Sequence, residues 1–98
     1  MIMPSKATEK LASKWIITDK LDRKLGISHR IIGNPEGKHL ALWTALEPDK
    51  TYSWKIMFHE NYDDVPVCLL SGGNCNSMSD AQERAENALN FFVFQNLL

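Results

Sequence analysis

Ninety-eight residues, 44% hydrophobic and 23% charged, leave room for one core, since a chain of this size buries about 60–65% of its unfolded surface. Three Trp, four Phe and two Tyr exclude a disordered tail, and no stretch nears the ~20 apolar residues of a membrane span or gives MIMPSKATEK an export signal. The net charge of −1 hides a split, because residues 1–40 sum to +4 and residues 41–98 to −5. The expectation is a single cytoplasmic domain, residues 1–98, whose two halves attract each other or whose basic half meets an acidic partner.

In chain order, Pro4 and Ser5 precede SKATEKLASK, a helix start of good helix formers. Lys6, Lys10 and Lys14 make one basic stripe at i, i+4, i+8, and Ala7, Leu11 and Trp15 an apolar one beside it. The helix is expected to end by Leu25, before Gly26, with a short strand at residues 15–18 as the alternative because Ile16, Ile17 and Thr18 are β-branched.

From Ile27 the pattern is β. HRIIG and KHLALWTALE flank GNPEGK, in which Pro35 suits the first central turn position and Gly37 a left-handed one. In the second strand Leu40, Leu42 and Leu46 share one face and Ala41, Trp43 and Ala45 the other, the pattern of a central strand. EPDKT is a turn with Pro48 in its favoured place. YSWKIMFH then alternates, Tyr52, Trp54, Ile56 and Phe58 against Ser53, Lys55, Met57 and His59.

ENYDD reads as a polar loop and VPVCLLS as a fourth strand, with Pro66 marking a sheet edge or a strand start. GGNCN reads as the following connection. Ser79 with Gln82 resembles a capping box, with Asp80 and Glu83 in the first turn of a helix whose Ala81, Ala85, Ala88, Leu89 and Phe92 should lie on the sheet. The fold class is therefore α+β: an antiparallel meander of about four strands, a long C-terminal helix on one face and an N-terminal helix, in the order α-β-β-β-β-α.

The chain closes on ALNFFVFQNLL. Phe91, Val93, Phe94, Leu97 and Leu98 spread around the helix beyond the Phe92 stripe, so one sheet cannot cover them all. Exposed apolar surface of that extent marks a partner surface, and a symmetric homodimer is its commonest form. Lys6, Lys10, Lys14, Arg23, Lys24 and Arg30 form the alternative surface, one that would neutralise phosphates of a nucleic acid. That alternative ranks lower, because the chain is weakly acidic and the segment offers no aromatic stacking platform.

Chemistry finds less support. SGGN joins a strand to a helix start, yet Asp80 occupies the dipole end that would bind phosphate, and no Lys follows the glycines. Cys68 and Cys75 lack the spacing of a zinc site and are expected as free thiols. His59, Glu60, Asp63 and Asp64 read as a solvated acidic loop. Ser71, Ser77, Ser79, His29, His39 and His59 sit in no nucleophile motif. The expectation is no enzyme, no cofactor and no metal.

Residues 50–95, with SMSDAQERAENAL opening the last helix, resemble in outline the double-stranded RNA-binding domain, whose final helix lies on a three-stranded sheet. That resemblance implies shape alone, since the family's lysine cluster is replaced here by Asp80, Glu83 and Glu86. Trp54, SGG and AQERAENAL in succession resemble the small accessory proteins of phage and prophage genomes. That likeness implies a protein that acts by binding another protein.

Overall fold

The computed structural model describes residues 14–61 and 63–97, the last five without their side chains. From Lys14 the described chain has no regular structure apart from a bridge at Ile16, and then forms helix α1 (Lys20–Lys24). Strands β1 (Ser28–Gly33), β2 (His39–Leu46), β3 (Tyr52–His59) and β4 (Val67–Cys75) follow, and helix α2 (Met78–Leu97) closes the fold. The strands form one antiparallel sheet in the order β1-β2-β3-β4. This is the expected α+β meander, with β2 central as its two apolar faces required.

The start differs from expectation. Residues 1–13, with Lys6, Lys10, Ala7 and Leu11, lie outside the described residues. Lys14–Thr18 is not helical, and Ile16 exchanges two backbone hydrogen bonds with His29, 2.7 and 2.9 Å, as a single bridge beside β1. The β-branched run Ile16-Ile17-Thr18 favours this geometry, and a helix starts where Asp19 caps it by accepting from the Asp22 N–H. Among the described residues the alternative of a strand at residues 15–18 is met by the bridge at Ile16 alone, and the helix expected to run to Leu25 is the one short turn Lys20–Lys24. It stops in a Schellman arrangement, Ile27 N–H to Asp22 C=O and Gly26 N–H to Arg23 C=O. Gly26 is required there: its φ is +67°, and a Cβ would stand 2.7 Å from the Leu46 Cβ and the Tyr52 ring.

The hairpin turns combine local chemistry with strand register. Asn34 accepts from Gly37 N–H through its carbonyl and from Glu36 N–H through its side chain, with Pro35 between them. The positive φ falls on Gly33, at +113°, and not on Gly37. Glu47–Lys50 makes the second turn around Pro48, and Asp49 accepts from both the hydroxyl and the N–H of Thr51. Those two bonds, the hydroxyl first, hold the Asp49 carboxyl below its ordinary range.

One face of the sheet is the core. Leu42 of β2 and Ile56 of β3 are fully buried against Ala85 and Leu89 of α2. Each such aliphatic side chain contributes roughly 1.5–3 kcal/mol. Ala81 and Ala85 have no exposed surface, so the helix axis comes close to the strands. Trp15, Ile32, Leu40, Trp54, Leu69, Leu70 and Ala88 surround the centre.

β4 departs from the plain strand expected to end near Ser71. It runs on to Cys75 and is bulged twice, where Ile56/Met57 pair with Leu70/Cys68 and where Tyr52/Trp54 pair with Cys75/Gly72. The first bulge lets both Leu69 and Leu70 reach the core; the second turns on Asn74 at φ +59°. A Cβ on Gly72 would stand 2.6 Å from the Trp54 indole, so the ring lies directly over that glycine.

The helix start is shifted as well. The Asp80 N–H donates to Ser77 Oγ, and Asp80 accepts in return from Asn76 N–H, so Ser77 is the cap and not Ser79. Gln82 is turned to the sheet and donates to Ser28 Oγ, 3.1 Å.

Candidate functional site

Strand register separates two surfaces. Facing α2 are Ser28, Arg30 and Ile32 of β1, Leu40, Leu42, Thr44 and Leu46 of β2, and Tyr52, Trp54, Ile56 and Phe58 of β3. The residues between them form the other face, on which no element packs among the described residues. It carries three rows across the sheet: His39 and His59; Ile31, Ala41, Met57 and Cys68; His29, Trp43, Lys55 and Ser71. Ala45 and Ser53 follow below. This open face is the candidate site.

Its centre is apolar and aromatic. Trp43 and Met57 are half-buried, and a groove of about 680 Å³ runs between Trp43, Ala45, Ser53, Lys55, Met57 and His59. The Trp43 ring packs on His29 with centroids 5.0 Å apart, and His39 stacks on His59 at 4.4 Å. His39 donates Nδ1–H to the Gly37 carbonyl, 2.9 Å, which fixes its ring. Burial, and then the neighbouring His39, pushes the His59 imidazole below its ordinary value, so it is neutral at pH 7.

All three histidines therefore stand on one face, a fact the sequence held in the odd parity of His29, His39 and His59 across paired strands. None of them hydrogen-bonds a serine or cysteine among the described residues. No group of three His, Cys, Asp or Glu fit to hold a metal is present among the described residues. In the loop after β3, Asp64 accepts from the Asn61 side chain, 3.0 Å, and Glu60 pairs with Lys38, 3.8 Å.

Cys68 is exposed and Cys75 buried, and both are free. Burial, with Asp80 adding to it, raises the Cys75 thiol above its ordinary value.

The helix-covered face holds two polar ties. Thr44 Oγ1 donates to Gly26 C=O (2.9 Å) and accepts from Ser28 N–H (3.2 Å); Ser28 Oγ, 2.6 Å from Thr44 Oγ1, must then be the donor of that bond. Glu86 of α2 accepts from Trp15 Nε1 (2.7 Å) and from Arg30 (2.8 Å). Arg30 is thus an internal ion-pair residue and stands apart from the expected basic surface. Both Arg30–Glu86 and Lys38–Glu60 join the basic half to the acidic half. The charge split is in part used inside the fold.

The remaining expected residues are dispersed. Lys14 lies on non-helical backbone, and Arg23 and Lys24 are exposed on α1 beside Asp19 and Asp22. Phe91 is 65% exposed while Phe92 is half-buried, as the helical stripe required. Val93, Phe94 and Leu97 lie on α2 with side chains outside the described residues, as does Leu98 entirely. No helix among the described residues is long and apolar enough to cross a membrane. Comparison with protein-family models, curated proteins and solved structures finds no match to this chain.

Proposed function

We propose that this chain is a small non-enzymatic interaction module that self-associates through its closing helix and binds another protein, an accessory protein of the type that Trp54, SGG and AQERAENAL resemble. The observation that carries this reading is the amount of apolar surface outside the core: Phe91, 65% exposed on α2, and the half-buried Trp43 and Met57 on the open sheet face. Apolar surface rimmed by polar residues is what partner surfaces are made of. Light-scattering mass after size exclusion tests the reading. The expected particle is twice 11.2 kDa, independent of salt and free of absorbance from nucleic acid. A particle of 11.2 kDa at every concentration would overturn self-association.

The second reading, binding of nucleic acid through Lys6, Lys10, Lys14, Arg23 and Lys24, draws support from the exposure of Lys14, Arg23 and Lys24. It loses Arg30 to Glu86. A particle that carries nucleic acid at low salt and sheds it at high salt would put this reading first.

A further inference from the structure

We infer that the stacked pair His39 and His59 is an acid-sensitive latch: it holds the His59 ring on the sheet while at least one of the two imidazoles is neutral, and releases that ring to solvent when both carry a proton. The inference concerns one end of the β2–β3 pair and does not depend on the self-association proposed above.

Register builds the latch. His39 opens β2 and His59 closes β3, and the two are direct cross-strand partners whose side chains leave the sheet on the same side. Their rings lie flat on each other, centroids 4.4 Å apart and planes 10° from parallel. A neutral pair stacks in this way, and so does one cation on one neutral ring, because the neutral π face attracts the charge. Two imidazolium rings in the same stack are like charges set directly opposite across a strand pair, which drives them apart. A pair coupled this closely takes up its protons in two separate steps.

The surroundings do little to neutralise a second proton. Lys38 and Glu60, the chain neighbours of the two rings, are exposed and already pair with each other at 3.8 Å. Gly33 of β1 lies opposite His39, and β4 carries no Asp, Glu, Lys or Arg; its titratable group on this side is Cys68, the partner of Met57. Along β3 itself Lys55 adds positive charge to the same face. Glu36 in the turn before β2, and Asp63 and Asp64 after β3, are exposed.

Anchoring decides which ring leaves. His39 is buried, and its Nδ1–H donates to the Gly37 carbonyl at 2.9 Å, a bond that protonation of Nε2 leaves in place. His59 is half-buried and is held among the described residues by the stack, with no hydrogen bond from its ring. Burial, and then His39, also disfavours its charged form in the fold, so the latch is closed above the ordinary histidine value of about 6.5 and opens as pH falls below it. Because His59 lines the groove with Trp43, Lys55, Met57 and Pro66, its departure opens that end of the groove while the core around Leu42 and Ile56 stays shut.

Nuclear magnetic resonance of the full chain, with labelled imidazoles followed from about pH 8 to 4.5, tests the latch. The pair should take up its protons in two steps separated by about one unit or more, and the ring-to-ring Overhauser contact should vanish with the second, while the amide shifts of Leu42 and Ile56 hold. His59→Phe keeps a flat ring that takes no proton: His39 should then titrate in a single step, with the ring contact intact throughout. His59→Gln should likewise leave His39 a single step. Two rings that titrate independently, a ring contact that survives the second step, or loss of the Leu42 and Ile56 signals together with that contact would each overturn the latch.

Discussion

The two faces of this sheet come from the same four strands, yet they are built on opposite principles. Towards α2 stand large aliphatic and aromatic residues, and the polar side chains Thr44 and Arg30 among them have specified partners: Thr44 with Ser28 and Gly26, Arg30 with Glu86. Away from α2 small residues alternate with Ile31, Trp43 and Met57, His39 stacks on His59 and His29 packs on Trp43, and Lys55 has no ion-pair partner among the described residues. The first arrangement suits a surface that is never again solvated, because an unmatched buried group costs about 1–3 kcal/mol. The second suits a surface that is stable wet and more stable covered. Burial alone does not separate these cases; the accounting of polar partners does.

The comparison is broken most directly at the centre of the covered face. Leu42→Ala or Ile56→Ala should cost about 2–5 kcal/mol in urea unfolding, whereas Met57→Ala on the open face should cost about 1 kcal/mol. Equal losses would mean that both faces are core. Next comes Thr44→Val, which keeps the shape but strands the Gly26 carbonyl and the Ser28 N–H. A loss of roughly 1–3 kcal/mol is expected, with no effect on oligomer mass.

Glu86→Ala should cost about 1–2 kcal/mol by releasing Trp15 and Arg30 together. A red shift in tryptophan emission should accompany it, as the indole of Trp15 leaves the core edge.

The smallest effect belongs to the open face and depends on pH. The His59 pKa is lowered in the fold by burial and by His39, so the unfolded chain takes up a proton first as pH falls below the ordinary value of about 6.5. Stability is therefore complete above that value and declines below it. The thermal midpoint should drop between pH 7 and 5, and His59→Gln should flatten that part of the profile. An unchanged profile in the variant would remove His59 from the account.

Most of the covered face was legible in the sequence, because its signal is periodic. The alternation of YSWKIMFH assigned every residue of β3 to its observed side, and the Ala81, Ala85, Leu89 stripe named the residues of α2 that touch the sheet. What was missed lacks a period. The bulges of β4 break alternation over LLSGGNC, so residues 72–75 read as a connection though they complete an edge strand. Ser77 and Ser79 offer the same hydroxyl to a helix start, and spacing alone chose the wrong one.

Legibility also failed at the beginning of the chain and at the site. Helix formers before Lys14 promised continuity, but Ile16 of the β-branched run at residues 16–18 bridges to β1 instead. The open face could not be recognised as open, since nothing in a sequence says which side of a sheet its long closing helix will take. The three histidines were visible from the start as residues, and their common face became visible only with the register.

The tie between Trp15 and Glu86 spans 71 positions of the chain. Closing so long a loop is entropically expensive until the sheet and α2 have brought its ends together, by about (3/2)RT ln n. The segment around Ile16, held to β1 by a single bridge, is therefore expected to dock after the sheet and α2 have formed. Its two hydrogen bonds to His29 lie at the border of the open face. Amide exchange at Ile16 should outpace that of the β2 and β3 interior, making the β1 border the loose hem of an otherwise cooperative sheet.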